Sequence, residues 1–192
     1  MSKEISETSC LTSYRSTRGL VHLYHSTRIW EACRATSAAT TFFDHISIGK
    51  YGEEFVDGAL GDNNPVSCLW NQAQDIWGAD ELQGKLRCIV SIGTGVPSLK
   101  PFLDDVLHIG HSLLAIATQT QRTAEKFRLD HSDLDNNGRY YRFNVDRGLE
   151  NIGLEEAKKK NMIAAATNSY LKSQEVHKRL NSCAKSLSEV PR

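Results

Sequence analysis

The chain has 192 residues, enough for one domain with a real core and a second only if it is very small. Lys plus Arg is 23 and Asp plus Glu is 23, so the net charge is zero and no global field favours nucleic acid or an anionic membrane. No apolar run approaches the roughly 20 residues of a membrane span. The opening "MSKEISETSC" has no apolar h-region.

Five cysteines, Cys10, Cys33, Cys68, Cys88 and Cys183, are scattered without a CxxC spacing. The apolar surroundings of Cys33, Cys68 and Cys88 predict small core residues in a reducing compartment. A cytoplasmic protein, peripheral at membranes at most, is the expectation.

In chain order, residues 1–9 are polar and predict a disordered start. "CLTSYRST" and "GLVHLYHS" are short and β-prone. "RIWEACRA" predicts a helix burying Ile29, Trp30 and Cys33. "EEFVD" is a strand ending on Asp57. "NNPVSCLWNQAQDIWG" is a helix with Asn64 as N-cap, Pro65 at its first position and Gly78 closing it; Val66, Leu69, Trp70 and Ile76 form its apolar stripe. "LRCIVSIGTG" reads as a central strand buried on both faces. Pro97 and Pro101 mark a loop, and Asp104 to Phe127 has strong helical periodicity. "RYYRFNV" is a further strand. A single long helix is predicted from Glu155 to about Leu187, with Val176, Leu180, Cys183 and Leu187 on one side. The alternation argues an α/β fold with a mostly parallel sheet flanked by helices, though the sheet is small for so many helices.

Asp57, followed by Gly58 and Ala59, stands at the tip of an apolar strand. From the residues alone it is either a turn-former, since Asp-Gly is a common turn pair, or a working base. Other signals have plain readings. Asp133, Asp135, Asn137 and Gly138 match the opening of a calcium loop, but position twelve is Asn144, so a polar turn is expected and no metal. His108 and His111 share a predicted helix face without a third ligand. Lys158, Lys159 and Lys160, preceded by Glu155 and Glu156, read as a solvated helix face. "RATSAA" predicts close packing of a helix end, with Arg34 in a structural hydrogen bond. Gly93-Thr94-Gly95 is a tight turn, since Ser98 breaks the dinucleotide pattern.

Taken together and in order, "IWEACRATSAATTFF", "FVDGALGDNNPV" and "IVSIGTG", with "YYRFNV" after the long helix, resemble the patatin-like phospholipase family, in a form similar to fungal members. The resemblance implies a partial patatin-like three-layer α/β fold. It implies a lipid acyl hydrolase with a serine–aspartate dyad, no cofactor, and a lipid or phospholipid acyl ester as substrate. Asp57-Gly58-Ala59 matches the family's Asp-Gly-Ala/Gly motif, which makes Asp57 the implied catalytic base. On this reading residues 1–9 precede the fold, 10–150 are the C-terminal part of the patatin-like domain, and 151–192 are the long C-terminal helix.

The departures are as informative. The family's serine sits in a Gly-x-Ser-x-Gly elbow that precedes the aspartate. Here Gly110-His111-Ser112 is followed by Leu113-Leu114, inside a helical run and after Asp57, so Ser112 reads as an ordinary helix residue and no nucleophile is assigned. The glycine-rich oxyanion loop is also absent. These 192 residues alone are therefore expected to be inactive, with an exposed sheet edge open to a complementing chain. A non-catalytic interaction module, or a truncated piece of a larger multidomain protein, is the alternative expectation.

Overall fold

The computed structural model describes residues 1–3, 7–40, 42–96, 107–150, 152–153 and 156–188. The chain divides into two compact units, Met1–Gln83 and Gly84–Arg192.

In the first unit, α1 (Val21–Ser26) and α2 (Ile29–Ala35) precede an antiparallel pair, β1 (Ile46–Ile48) and β2 (Glu53–Phe55). Ile46 faces Phe55 and Ile48 faces Glu53. Gly49 and Gly52 close the hairpin at φ 80° and 67°, a region that costs a glycine little. Leu23, Ala35, Ile48 and Phe55 form the core, with Leu11 and Ile46 packed against it. The short helix α3 (Ala59–Asp62) leads to α4 (Val66–Trp77), and α5 (Ala79–Lys85) spans the boundary between units.

Several expectations change here. "GLVHLYHS" is helical over Val21–Ser26, because burying Leu23 against the β pair outweighs β-propensity. Residues 10–19 form no regular element. They run along α4, where Tyr14 and Ser16 hydroxyls each donate to Gln72 Oε1 at 3.0 Å and Arg18 grips the Asp75 carboxylate with two nitrogens. Cys68, Gln72 and Asp75 lie at helical spacing on one face, so a polar stripe holds this strap. The apolar stripe correspondingly shifts: Val66, Trp70 and Ala73 are buried, while Leu69 and Ile76 are exposed. Pro65, one residue beyond Asn64, is the N-cap of α4, and Gly78 closes the helix at φ 81°. On α2 the predicted face is reversed, since Ile29, Trp30 and Cys33 are exposed and Ala35 is buried. Of the three cysteines expected in the core, Cys68 and Cys88 are half-buried; the buried one is Cys183.

The polar start was expected to fray. Residues 1–3 instead pair with β2: Ser2 bridges Phe55, and Lys3 N–H donates to Glu54 O at 2.9 Å. The edge of β2 away from β1 supplies the free backbone groups that take this pairing.

In the second unit, β3 (Ile89–Ile92) and β4 (Tyr140–Phe143) run parallel, with Ile89 beside Tyr140 and Ile92 beside Phe143. They are joined through α6 (Leu107–Asp130) and α7 (Ser132–Asn136). Helices cover both faces of β4. Phe127 of α6 packs on Tyr140, ring centroids 5.1 Å apart, and the Tyr141 hydroxyl on the opposite face bonds Ser182 Oγ of α9 (Gln174–Ser188) at 2.9 Å. This is an α/β/α arrangement around one parallel pair.

β3 is not buried on both faces: Ile89 and Ser91, on one face, are 6% and 9% exposed, whereas Val90 and Ile92, alternating onto the other, are 37% and 78% exposed. The expected long terminal helix is two helices, α8 (Lys160–Lys172) and α9, preceded by a single 3-10 turn (Ala157–Lys159). Ser173 is extended at ψ 141° and starts α9, its hydroxyl accepting the Val176 N–H at 3.4 Å. The two expected loop prolines, the predicted helix start at Asp104, and Glu155 lie outside the described residues.

Candidate functional site

Asp57 follows β2 by two residues, and its backbone is fastened from both sides. Its N–H donates to the Ala38 carbonyl at 3.0 Å, and Val56 N–H donates to Met1 O at 3.0 Å. The Met1 amino group returns a bond to Val56 O at 2.8 Å. Burial lowers the pKa of that amine, and the Asp57 carboxylate opposes the shift. Ala35 and Ala38 are 4% and 0% exposed, so the small residues of "RATSAA" do let the end of α2 press close to the β2 tip. Arg34 donates to Asp44 O at 2.7 Å and lies over the Phe43 ring, which is a structural role.

The Asp57 side chain is half-buried, and its Oδ1 accepts the Ala59 N–H at 2.8 Å. That bond to the residue two ahead is a side-chain turn leading directly into α3. A carboxylate so held is rigid, and a hydroxyl brought to it would find an acceptor. Gly58 is right-handed helical, φ −68° and ψ −10°, and a Cβ built on it meets nothing within 4 Å among the described residues. The turn therefore does not demand a glycine, and the space in front of Gly58 is open.

Sequence reasoning missed the second acid of this segment. Asp62, at the end of α3, has its carboxyl pKa raised by burial. It also acts on Cys68, whose thiol is pushed up to about 12, first by burial and then by its hydrogen bond with Cys10. The two sulfurs are 3.0 Å apart. Spacing alone could not reveal this pair, which is separated by most of the unit. A pocket of about 280 Å³ opens between the strap and helices α1 and α2, lined by Leu11, Leu20, Leu23 and Ile29; Asp57 is not in its lining.

The second unit contains its own cleft of about 790 Å³, bordered by α6, α8, α9 and the end of β4. Arg142, in the middle of "YYRF", lines it. Its Nη1 donates to Ser91 Oγ at 2.9 Å, while Nε and Nη2 are buried without a hydrogen-bond partner among the described residues. Burial lowers the pKa of this guanidinium. Gly93-Thr94-Gly95, expected as a tight turn, is a bend at Thr94 that keeps its amides on the neighbouring strand: Gly93 N–H donates to Phe143 O and Gly95 N–H to Asn144 Oδ1, each at 2.8 Å. Gly95 has φ 111°, and a Cβ there would come within 2.8 Å of Leu149.

Ser112, His108 and His111 belong to the helical backbone of α6, and their side chains lie outside the described ones. Asp133 and Asp135 sit within α7, with Gly138 at φ 62° turning the chain into β4. Lys159 pairs with Glu156, and that ion pair together with the Gly153 N–H lowers the Glu156 pKa. Among the described residues no helix is long and apolar enough to cross a membrane.

No family model matches the chain. It is 38% identical over 68 residues to phospholipase A I of Arabidopsis thaliana, covering 35% of this chain and 5% of the plant protein. It is 31% identical over 145 residues to calcium-independent phospholipase A2-gamma of Mus musculus, 68% of this chain and 16% of that protein. The Homo sapiens form is 30% identical over the same number of residues. The chain is similar to phospholipases. It spans 16% or less of the length of these relatives.

Proposed function

We propose that these 192 residues are a segment of a patatin-like lipid acyl hydrolase acting on phospholipid or related acyl esters, with Asp57 as its general base. The observation that carries this reading is the rigid placement of the Asp57 carboxylate at the β2 tip, open on the Gly58 side. The similarity to phospholipases supports the substrate class. A serine hydroxyl is a weak nucleophile until a base within hydrogen-bond reach takes its proton, and a fixed carboxylate is suited to that. The sequence has no Gly-x-Ser-x-Gly, so the nucleophile comes from polypeptide outside it and these residues alone do not hydrolyse esters.

The bond from Ala59 N–H to Asp57 Oδ1 favours a second reading, in which Asp57 only forms the turn into α3. Asp57→Asn separates the two, because the amide oxygen keeps the acceptor but loses the basicity. In a protein joining this segment to an upstream Gly-x-Ser-x-Gly elbow, Asp57→Asn is expected to lower ester hydrolysis by about 10²–10⁴-fold. Hydrolysis kept within a few-fold would leave only the turn. Hydrolysis of a short-chain p-nitrophenyl ester by the 192 residues alone would overturn the missing-nucleophile assignment.

A further inference from the structure

The strap of residues 10–19 is tied to α4 at Cys68, Gln72 and Asp75. The first of these ties joins two thiols whose sulfurs are 3.0 Å apart, both half-buried and both free. We propose that Cys10 and Cys68 are a site of oxidative cross-linking, closed by a low-molecular-weight disulfide, which fastens the strap to α4. This assignment rests on the geometry of the first unit and is independent of the role given to Asp57.

The chemistry is thiol–disulfide exchange. A cysteine thiolate attacks one sulfur of oxidised glutathione, forming a mixed disulfide and expelling a glutathione thiolate. The neighbouring cysteine, having given up its proton, attacks the protein sulfur of that mixed disulfide and expels the second glutathione. The two cysteines lose two electrons and two protons, and both are carried by the two reduced glutathione molecules. Burial and then the hydrogen bond with Cys10 push the Cys68 thiol up to about 12, so attack by its thiolate is slow near neutral pH.

Adjacency selects the partner. Cys33 is exposed on α2 and, among the described residues, makes no hydrogen bond to another thiol. In the second unit Cys88 hydrogen-bonds the buried Cys183, so that pair is also adjacent, but a reagent reaches it only through Cys88.

The test is incubation of the folded chain with oxidised glutathione, alkylation of the remaining thiols, and peptide mapping by mass spectrometry. The expected product contains a Cys10–Cys68 bridge, with any further bridge confined to Cys88–Cys183. The bridged chain should melt about 5–10 °C higher, a gain reversed by dithiothreitol and absent in Cys10→Ser. In Cys68→Ser, glutathione should accumulate on Cys10. Recovery of Cys10 and Cys68 unlinked from the folded wild-type chain, or bridges distributed across all five cysteines, would overturn the proposal.

Discussion

The Asp57 amide is bonded to the Ala38 carbonyl, so the residue just beyond β2 is positioned by an alanine nineteen places earlier. Ala38 is completely buried at that junction, and Ala35 nearly so. Enlarging Ala38 must therefore displace the β2 tip. Ala38→Val is expected to cost about 1–3 kcal/mol by overpacking, read as a lower urea midpoint with an unchanged slope.

The turn at Asp57 can be weighed separately from any catalysis. Asp57→Ala removes the acceptor for the Ala59 N–H and should destabilise the chain by about 0.5–2 kcal/mol, as loss of a helix cap does. Asp57→Asn keeps the acceptor and should remain within about 0.5 kcal/mol of wild type. Equal losses from both substitutions in chemical denaturation would show that the charge, not the turn, matters to folding.

Asp62 gives a pH dependence with a definite sign. Its folded pKa lies above the unfolded value because burial disfavours the carboxylate. Ionised Asp62 therefore opposes folding. The penalty is absent at pH below the unfolded value near 3.8 and grows as pH rises through the raised folded value. Asp62→Asn should raise Tm at neutral pH, and the gain should vanish on acidification into that window. The group is partly exposed, so the effect should stay below about 1 kcal/mol. An equal gain at every pH would point to something other than titration.

The one-sided burial of β3 predicts a contrast between neighbours. Ile89→Ala should cost about 2–5 kcal/mol, whereas Ile92→Ala, at a position 78% exposed, should change stability by no more than about 0.5 kcal/mol. Unfolding curves of the two variants measure this directly. A large loss at Ile92 would mean that the outer face of β3 is covered in solution.

Local signals in the sequence were read correctly where local physics sets the outcome. The strand ending near Asp57, the helix closed by Gly78 and the strand in "RYYRFNV" follow from periodicity and turn chemistry, and the helix over Ile29–Ala35 was placed, though with the wrong face buried. What was not legible depends on distant partners. The strap along α4 uses hydrogen bonds spanning 56 to 58 residues, and these turn the Cys68–Gln72–Asp75 face inward at the expense of Leu69. Val21–Ser26 is helical because Leu23 finds a core that a short window does not contain. The break at Ser173 was legible in principle, since a serine three residues before Val176 can cap a helix, but continuous periodicity on either side concealed it. Asp57 stands out in the sequence by its motif, whereas the burial of Asp62 is not visible from spacing.

Gly58 has an experimental consequence. Its backbone is one that any L-amino acid adopts, and among the described residues a methyl group there would meet nothing within 4 Å beyond its own chain neighbours. Alanine at this position is thus a steric ruler that leaves the fold untouched and reports only on what approaches from outside. Whatever rate or affinity Gly58→Ala removes would belong to a visiting molecule, or to a neighbouring stretch of polypeptide, seated within one methyl radius of the aspartate.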